Sequence, residues 1–262
     1  MDIRCALPLK TWKDVLISSI SQPLNGAKTA FDKRPIARLE SRMVSTQKGR
    51  TASLMFNNLH VSQHPLVKHK LTLLRDKNTD FRHFRELMRE LAMLLCYEFT
   101  QDLKLTPKPV ETPMGTAPGA KADERIGIVP VLRAGLGMLE GVLEMLPSVQ
   151  VWHIGLYRDE HTLRPVQYYN RLPEKADIDI AIILDPMLAT GGSAVATIDL
   201  IKHAGVTRVK YVGVIAAPEG VARLHESHPD VPIYVGNVDE RLNEVGFIVP
   251  GLGDAGDRQF GT

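Results

Sequence analysis

The sequence predicts a doubly wound parallel α/β sheet with helices on both faces, and three observations carry that expectation. The apolar runs Ile126 to Val131, Ile178 to Leu184 and Val209 to Ala216, interrupted by charge only at Asp179 and Lys210, are too continuous for half-exposed strands. They suit strands buried on both faces. The first two close on turns rich in small residues, and all three lead into stretches with helical spacing. Strands alternating with helices wind into a parallel sheet whose ligands gather beyond the strands' carboxyl ends.

Composition bounds the rest. A chain of 262 residues, 44% hydrophobic and 24% charged, can bury one sizeable core plus an appendage. Its net charge of +2 hides an asymmetry, because residues 1–60 hold ten Lys/Arg against four Asp/Glu and leave 22 against 26. The body from residue 61 is therefore acidic by four charges, which gives no electrostatic footprint for nucleic acid. Cys5 and Cys96 lie far apart with no metal spacing, so a reducing, cytoplasmic setting without disulfides is expected. No apolar run approaches the 18 residues of a membrane span.

In chain order, residues 1–60 read as a loosely ordered N-terminal extension. Trp12, Val15, Leu16 and Ile20 could share one helix face, but Pro8, Pro23 and Pro35 interrupt the segment. Asp2, Asp14, Asp32 and Glu40 are too many acids for a good transit peptide. Near His60 the body begins, with a basic amphipathic entry from His64 to Arg75. Asn78, Thr79 or Asp80 then caps a helix whose apolar face is Phe81, Phe84, Met88, Leu91, Leu94 and Leu95. From Leu105 to Glu124 prolines and glycines replace any period, marking an excursion from the core.

Regular order returns with the strand Ile126 to Val131 and the turn Leu132-Arg133-Ala134-Gly135, before a helix on Leu136, Leu139, Val142 and Leu146. An arginine at such a turn suits a pyrophosphate, since a guanidinium can bind it through two parallel hydrogen bonds. Val149 to Gly155 reads as the next strand. The charged, aromatic stretch from Leu156 to Asn170 then suits either a lid or an exposed hairpin held by Arg-Asp pairs.

At the centre stands Ile182 to Ala194, in which Asp185 ends a buried strand and Pro186 turns the chain. After Leu188 every side chain is small, so backbone N-H groups can approach an anion, with hydroxyls from Thr190 and Ser193 beside them. A helix begins at once on Val195, Ile198 and Ile201, and its N-terminus completes a phosphate seat. Val209 to Ala216, a short helix from Glu219 to His228, and the strand Pro232 to Val235 follow. His64, His69, His225 and His228 lack further ligands at metal spacing and read as surface or hydrogen-bonded histidines, the last two on a solvated helix end. The C-terminal run from Gly246 to Thr262, with Gly251, Gly253 and Gly256 around Asp254 and Asp257, implies a compact loop whose main chain faces something flat and polar.

The segment Ile182 to Ala194 resembles the ribose-phosphate loop of type I phosphoribosyltransferases, with Pro186 where most members carry a second acid. Together with Tyr157-Arg158, Ala216-Ala217-Pro218-Glu219-Gly220 and the C-terminal glycine loop, it is similar to the uracil phosphoribosyltransferases over about Val61 to Thr262. That resemblance implies a catalytic domain over 61–262, a hood formed by the C-terminal segment, a β-arm or lid, and transfer of phosphoribosyl from 5-phosphoribosyl 1-diphosphate (PRPP) to uracil, giving uridine monophosphate and diphosphate. It implies PRPP contacts at Arg133, Arg158, Asp185, Pro186, Met187, Leu188, Ala189, Thr190, Gly191, Gly192, Ser193 and Asp254. It implies uracil contacts at Ile248, Gly253, Asp254 and Ala255, with Arg133, Asp185 and Asp254 the catalytic set. Mg2+ is expected through PRPP and waters and not through a protein cage. A GTP effector and a homo-oligomer, dimer or larger, belong to the same implication. The alternative is a regulatory protein of this fold that binds nucleotide or RNA, which calls for a basic face where the body is acidic.

Overall fold

The computed structural model describes residues 56–158 and 165–262. The described chain runs β1 (Leu59–Val61), α1 (Pro65–Arg75), α2 (Phe81–Phe99), β2 (Leu105–Pro107), β3 (Val110–Thr112), β4 (Gly115–Ala117), β5 (Ala120–Ala122), β6 (Ile126–Leu132) and α3 (Leu136–Met145). It continues through β7 (Gln150–Val151), β8 (Ile154–Arg158), β9 (Pro165–Asn170), β10 (Ile180–Leu184), β11 (Met187–Leu188), α4 (Gly192–His203) and β12 (Val209–Ala216). It ends with α5 (Pro218–Ser227), β13 (Ile233–Val238), β14 (Arg241–Leu242), β15 (Ile248–Val249) and α6 (Ala255–Phe260).

The long apolar strands pair into one sheet of order β1-β13-β12-β10-β6-β8-β9, parallel except for the antiparallel β8–β9 pair. From β6 the chain first moves outward to β8 and then returns to lay β10 on the other side of β6. The order therefore reverses between β6 and β10, and the crevice beyond their carboxyl ends is where such sheets take ligands.

Period-two alternation divides the core between the two faces. Ile180, Ile182 and Leu184 join Val212 and Val214 against α1, α2 and α3, where Leu74, Phe84, Met88, Leu91 and Val142 are buried. Ala181 and Ile183 join Val209 and Tyr211 on the opposite face, against Ile198 and Ile201 of α4 and Val221 and Leu224 of α5. Each fully buried Leu, Ile or Phe contributes roughly 1.5–3 kcal/mol, so both helical layers are held chiefly by this burial.

Asp80 caps α2 by accepting from the His83 amide at 2.9 Å. Phe81, expected on the buried face of that helix, is instead 53% exposed and lies against the Arg85 guanidinium. The 105–124 excursion contains two nested antiparallel ladders, β2–β5 and β3–β4, nearly all exposed, with Met114 at the tip. With both faces in solvent there was no alternation to read. The stretch expected as one strand from Val149 to Gly155 is broken into β7 and β8 around buried Trp152. His228 is buried and not solvated, its Nε2 3.1 Å from Asp199 Oδ1, and His225 Nδ1 is 2.7 Å from Asn58 Oδ1. The expectations for residues 1–55 and for the tip of the lid, 159–164, lie outside the described residues. Among the described residues no helix is long and apolar enough to cross a membrane.

Candidate functional site

The loop after β10 is held open by its neighbours. Pro186 O accepts from Val214 N at 2.9 Å and Ile215 N at 3.0 Å, and β11 then pairs with the end of β12. Gly191, at φ +75°, precedes α4, and a Cβ there would stand 2.9 Å from Gly220 O. Gly220 is equally constrained, since its Cβ would fall 2.4 Å from Ala189 O. The two glycines thus let α5 press directly against the loop. Ala217 N donates to Leu188 O at 2.9 Å and fixes the other side. In consequence, among the described residues the backbone N-H groups from Thr190 to Ala194 donate to no protein acceptor. Five donors at a helix N-terminus, with the hydroxyls of Thr190 and Ser193 on the same loop, form an anion cradle.

Asp185 is the acid beside this cradle. It is half-buried with no cation paired to it among the described residues, and burial pushes its carboxyl up to about 7. The Met187 amide, 3.5 Å from Oδ1, only partly offsets that effect. Tyr211, fully buried beneath, donates its hydroxyl to Asp185 O at 3.0 Å and locks the strand end in place. Burial first, and then Asp185, hold the Tyr211 phenol well above its usual range.

Across the crevice, β6 ends in a cis peptide between Leu132 and Arg133. Gly135 brings this turn against β10, because a Cβ there would meet Leu184 O at 2.4 Å. The Arg133 guanidinium is half-exposed, with Nη2 3.2 Å from Asp257 Oδ1 and Cζ 5.8 Å from the Phe260 ring centre. Both partners belong to α6, so the arginine turn and the C-terminal segment meet at one place.

Three polar clamps seat that segment. Arg75 donates to Asp239 through both terminal nitrogens and to Gly251 O at 2.7 Å, while Asp239 Oδ2 accepts from Gly251 N at 2.9 Å. Arg258 donates to Leu74 O and Leu252 O, each at 2.9 Å, and to Asp76 O at 2.5 Å, satisfying carbonyls at the end of α1. Gln259, wholly buried, donates to Ala134 O at 3.0 Å and Ala255 O at 2.9 Å, tying α6 to the arginine turn. Gly137 makes room for it, since a Cβ there would overlap the Gln259 amide oxygen.

Of the residues expected to bind ligand, Arg133 and Asp254 come together through α6, where Asp254 Oδ1 accepts from Asp257 N at 2.9 Å. Gly253 and Asp254 are exposed and Ala255 is buried. Ile248 is 7% exposed, so its side chain belongs to the core and only its main chain is available for a ligand. Arg158 ends β8, and its side chain lies outside the described residues. Among the described residues no group of three His, Cys, Asp or Glu could hold a metal. Sequence reasoning missed Asp257 and Gln259 as contacts of the arginine turn. The only signal was the Asp-x-x-Asp spacing of 254 and 257, which resembles a helix cap.

A family model described as uracil phosphoribosyltransferase matches residues 61–262. A uracil phosphoribosyltransferase of Roseiflexus sp. (strain RS-1) is 57% identical over 202 residues, covering 77% of this chain and 97% of its own. One from Finegoldia magna is 57% identical over 203 residues, with the same coverage. The solved structure of the AQ2163 protein from Aquifex aeolicus superposes with a TM-score of 0.73 at 44% identity, covering 77% of this chain and 97% of that one.

Proposed function

The chain belongs to the uracil phosphoribosyltransferase family, and we propose that it joins uracil to the ribosyl carbon of PRPP, releasing diphosphate and forming uridine monophosphate in pyrimidine salvage. The observation that carries the reading is the run of unpaired N-H groups from Thr190 to Ala194, set beside Asp185 at the point where the strand order reverses.

On this reading the 190–194 amides and the Thr190 and Ser193 hydroxyls hold the 5-phosphate, with Pro186 to Ala189 forming the wall of the same loop. Asp185 faces the ribose hydroxyls. Arg133 meets the diphosphate, whose negative charge rises as its bond to the ribose breaks, and stabilising that charge is worth most where water is excluded. Arg158, on the β8–β9 arm, supplies a second cation and a means of closure. The main chain at Ile248 and Gly253 to Ala255 reads uracil, and the clamps of Arg75, Arg258 and Gln259 hold that reader still. The donor set suits Mg2+ carried by the substrate, because Asp254 is an exposed hard oxygen ligand with no second and third acid grouped around it. When bound, the ion would neutralise diphosphate charge. A GTP effector and a homo-oligomer, which rest on the family resemblance, and a cytoplasmic location, which rests on the cysteine content, complete the reading.

Diphosphate release from PRPP with uracil, cytosine, hypoxanthine or no base, with and without Mg2+, tests it. Release should require uracil and Mg2+. Cytosine presents an amino donor where uracil presents an acceptor, and the mismatch should cost on the order of a thousandfold in kcat/KM. Equal turnover of uracil and cytosine, or release with hypoxanthine, would overturn the assignment.

A further inference from the structure

Arg133 is held by α6 before any ligand is considered. Its Nη2 is 3.2 Å from Asp257 Oδ1 and its Cζ is 5.8 Å from the Phe260 ring centre, so two side chains one helical turn apart contact the guanidinium. Asp257 is itself oriented, since Thr262 Oγ1 donates to the same Oδ1 at 3.2 Å and Asp257 N donates to Asp254 Oδ1 at 2.9 Å. The two side chains are 53% and 51% exposed, so the pair adds little to stability. Its geometry is the more informative property. A guanidinium carries five N-H donors in a rigid fork, and a single contact through Nη2 leaves other donors free for an incoming oxyanion. Arginine otherwise loses much rotamer freedom on binding, and a partner that has already ordered it removes part of that cost.

We infer that Asp257 is a positioning residue for Arg133: it holds the guanidinium at the mouth between the arginine turn and the C-terminal helix, with its remaining donors presented to the leaving group. The inference rests on the reading that Arg133 meets the diphosphate. Orientation of a cation matters most where charge is still developing, so the loss falls on kcat and not on KM. Asparagine keeps an acceptor oxygen in the same place and restores most of the effect.

The test uses the full chain as wild type, Asp257→Ala, Asp257→Asn, Arg133→Ala and the Arg133→Ala/Asp257→Ala double variant, with PRPP varied at saturating uracil. Asp257→Ala is expected to lose about tenfold in kcat with KM for PRPP within about threefold, and Asp257→Asn to recover to within about threefold of wild type. In the Arg133→Ala background the second substitution should cost less than about twofold, because the residues act as one unit. Equal losses in both backgrounds, wild-type kcat in Asp257→Ala, a loss carried by KM alone, or an Asn variant as impaired as Ala would each overturn the inference. A second measurement is independent of turnover. The guanidinium 15N signals of Arg133, assigned by their disappearance in Arg133→Ala, should shift and broaden in Asp257→Ala, and unchanged signals would overturn the inference as well. This arm holds whichever base the protein uses, so a failed uracil assay and a failed positioning role are separable.

Discussion

Replacing Asp185 by asparagine should make the protein more stable at neutral pH while removing activity. Burial raises this carboxyl to about 7 from an ordinary 3.8, and the long contact to the Met187 amide only partly offsets the rise. Between those two values the unfolded chain has released a proton that the folded chain still holds. The sign follows: stability falls as pH rises across the window, and the loss is complete once pH exceeds about 7. At about 1.4 kcal/mol per pKa unit the full loss is on the order of 4 kcal/mol. Asp185→Asn has no proton to lose, so its stability relative to wild type should be near zero at about pH 4 and rise to roughly 3–4 kcal/mol in its favour by about pH 8. The other perturbed acids, such as Asp179 held down to about 2 by Arg125, act at lower pH and cancel in the difference. Urea unfolding of both proteins at about pH 4, 6 and 8 measures it. Parallel stability curves would refute the argument. The same ionisation should make wild-type kcat/KM for PRPP rise toward neutral pH, since only a carboxylate accepts from ribose hydroxyls at both oxygens.

Other outcomes follow from the clamps around the C-terminal segment. Arg75→Met strands the buried Asp239 carboxylate and should cost roughly 3–5 kcal/mol, a fall in Tm of about 6–20 °C, while adding Asp239→Asn should recover part of it in the same thermal scan. Gly251→Ala would place Cβ 2.0 Å from Ile248 O at φ +63°, and should lower Tm far more than Gly253→Ala. At Gly253, with φ +80°, the nearest obstacle is Arg258 Cδ at 3.5 Å, so only backbone strain of about 1–2 kcal/mol applies. Removing residues 1–55 should leave uracil-dependent turnover within about twofold, because the family match begins at residue 61, and loss of soluble, active protein would show that the extension supports the body.

The sheet was legible because its strands are buried on both faces, and a run such as Val209 to Ala216 admits few other readings. What escaped lacked a hydrophobic period. β1 spans three residues, Leu59–Val61, and owes its existence to pairing with Ile233–Val238, far away in sequence. The β2–β5 and β3–β4 ladders bury neither face. Phe81 carries the helical spacing of its neighbours yet sits in the first turn of α2, beyond the edge of the layer it was expected to join. Spacing shows which side of a helix faces inward, but not how far along the helix the core extends.

The candidate site divides in the same way. Small residues and glycines at strand ends announce close approach, so Asp185 to Ser193 and the Arg133 turn could be placed from sequence. The grip of α6 on that turn could not. A helix of six residues is too short to hold itself in water. Its side chains at 257, 258 and 259 instead point to three different places: Asp257 to Arg133, Arg258 to the end of α1, and Gln259 to Ala134. Two of these contacts join residues more than 120 positions apart and the third spans 184, so no local pattern encodes them. Because Gln259 binds a carbonyl of the arginine turn and Arg258 binds carbonyls at the end of α1, α6 stays in register with both. On the proposed assignment, the segment that reads the base and the arginine beside the leaving group are thereby joined through α6. A substitution that loosens α6 should therefore impair uracil selection and diphosphate departure together.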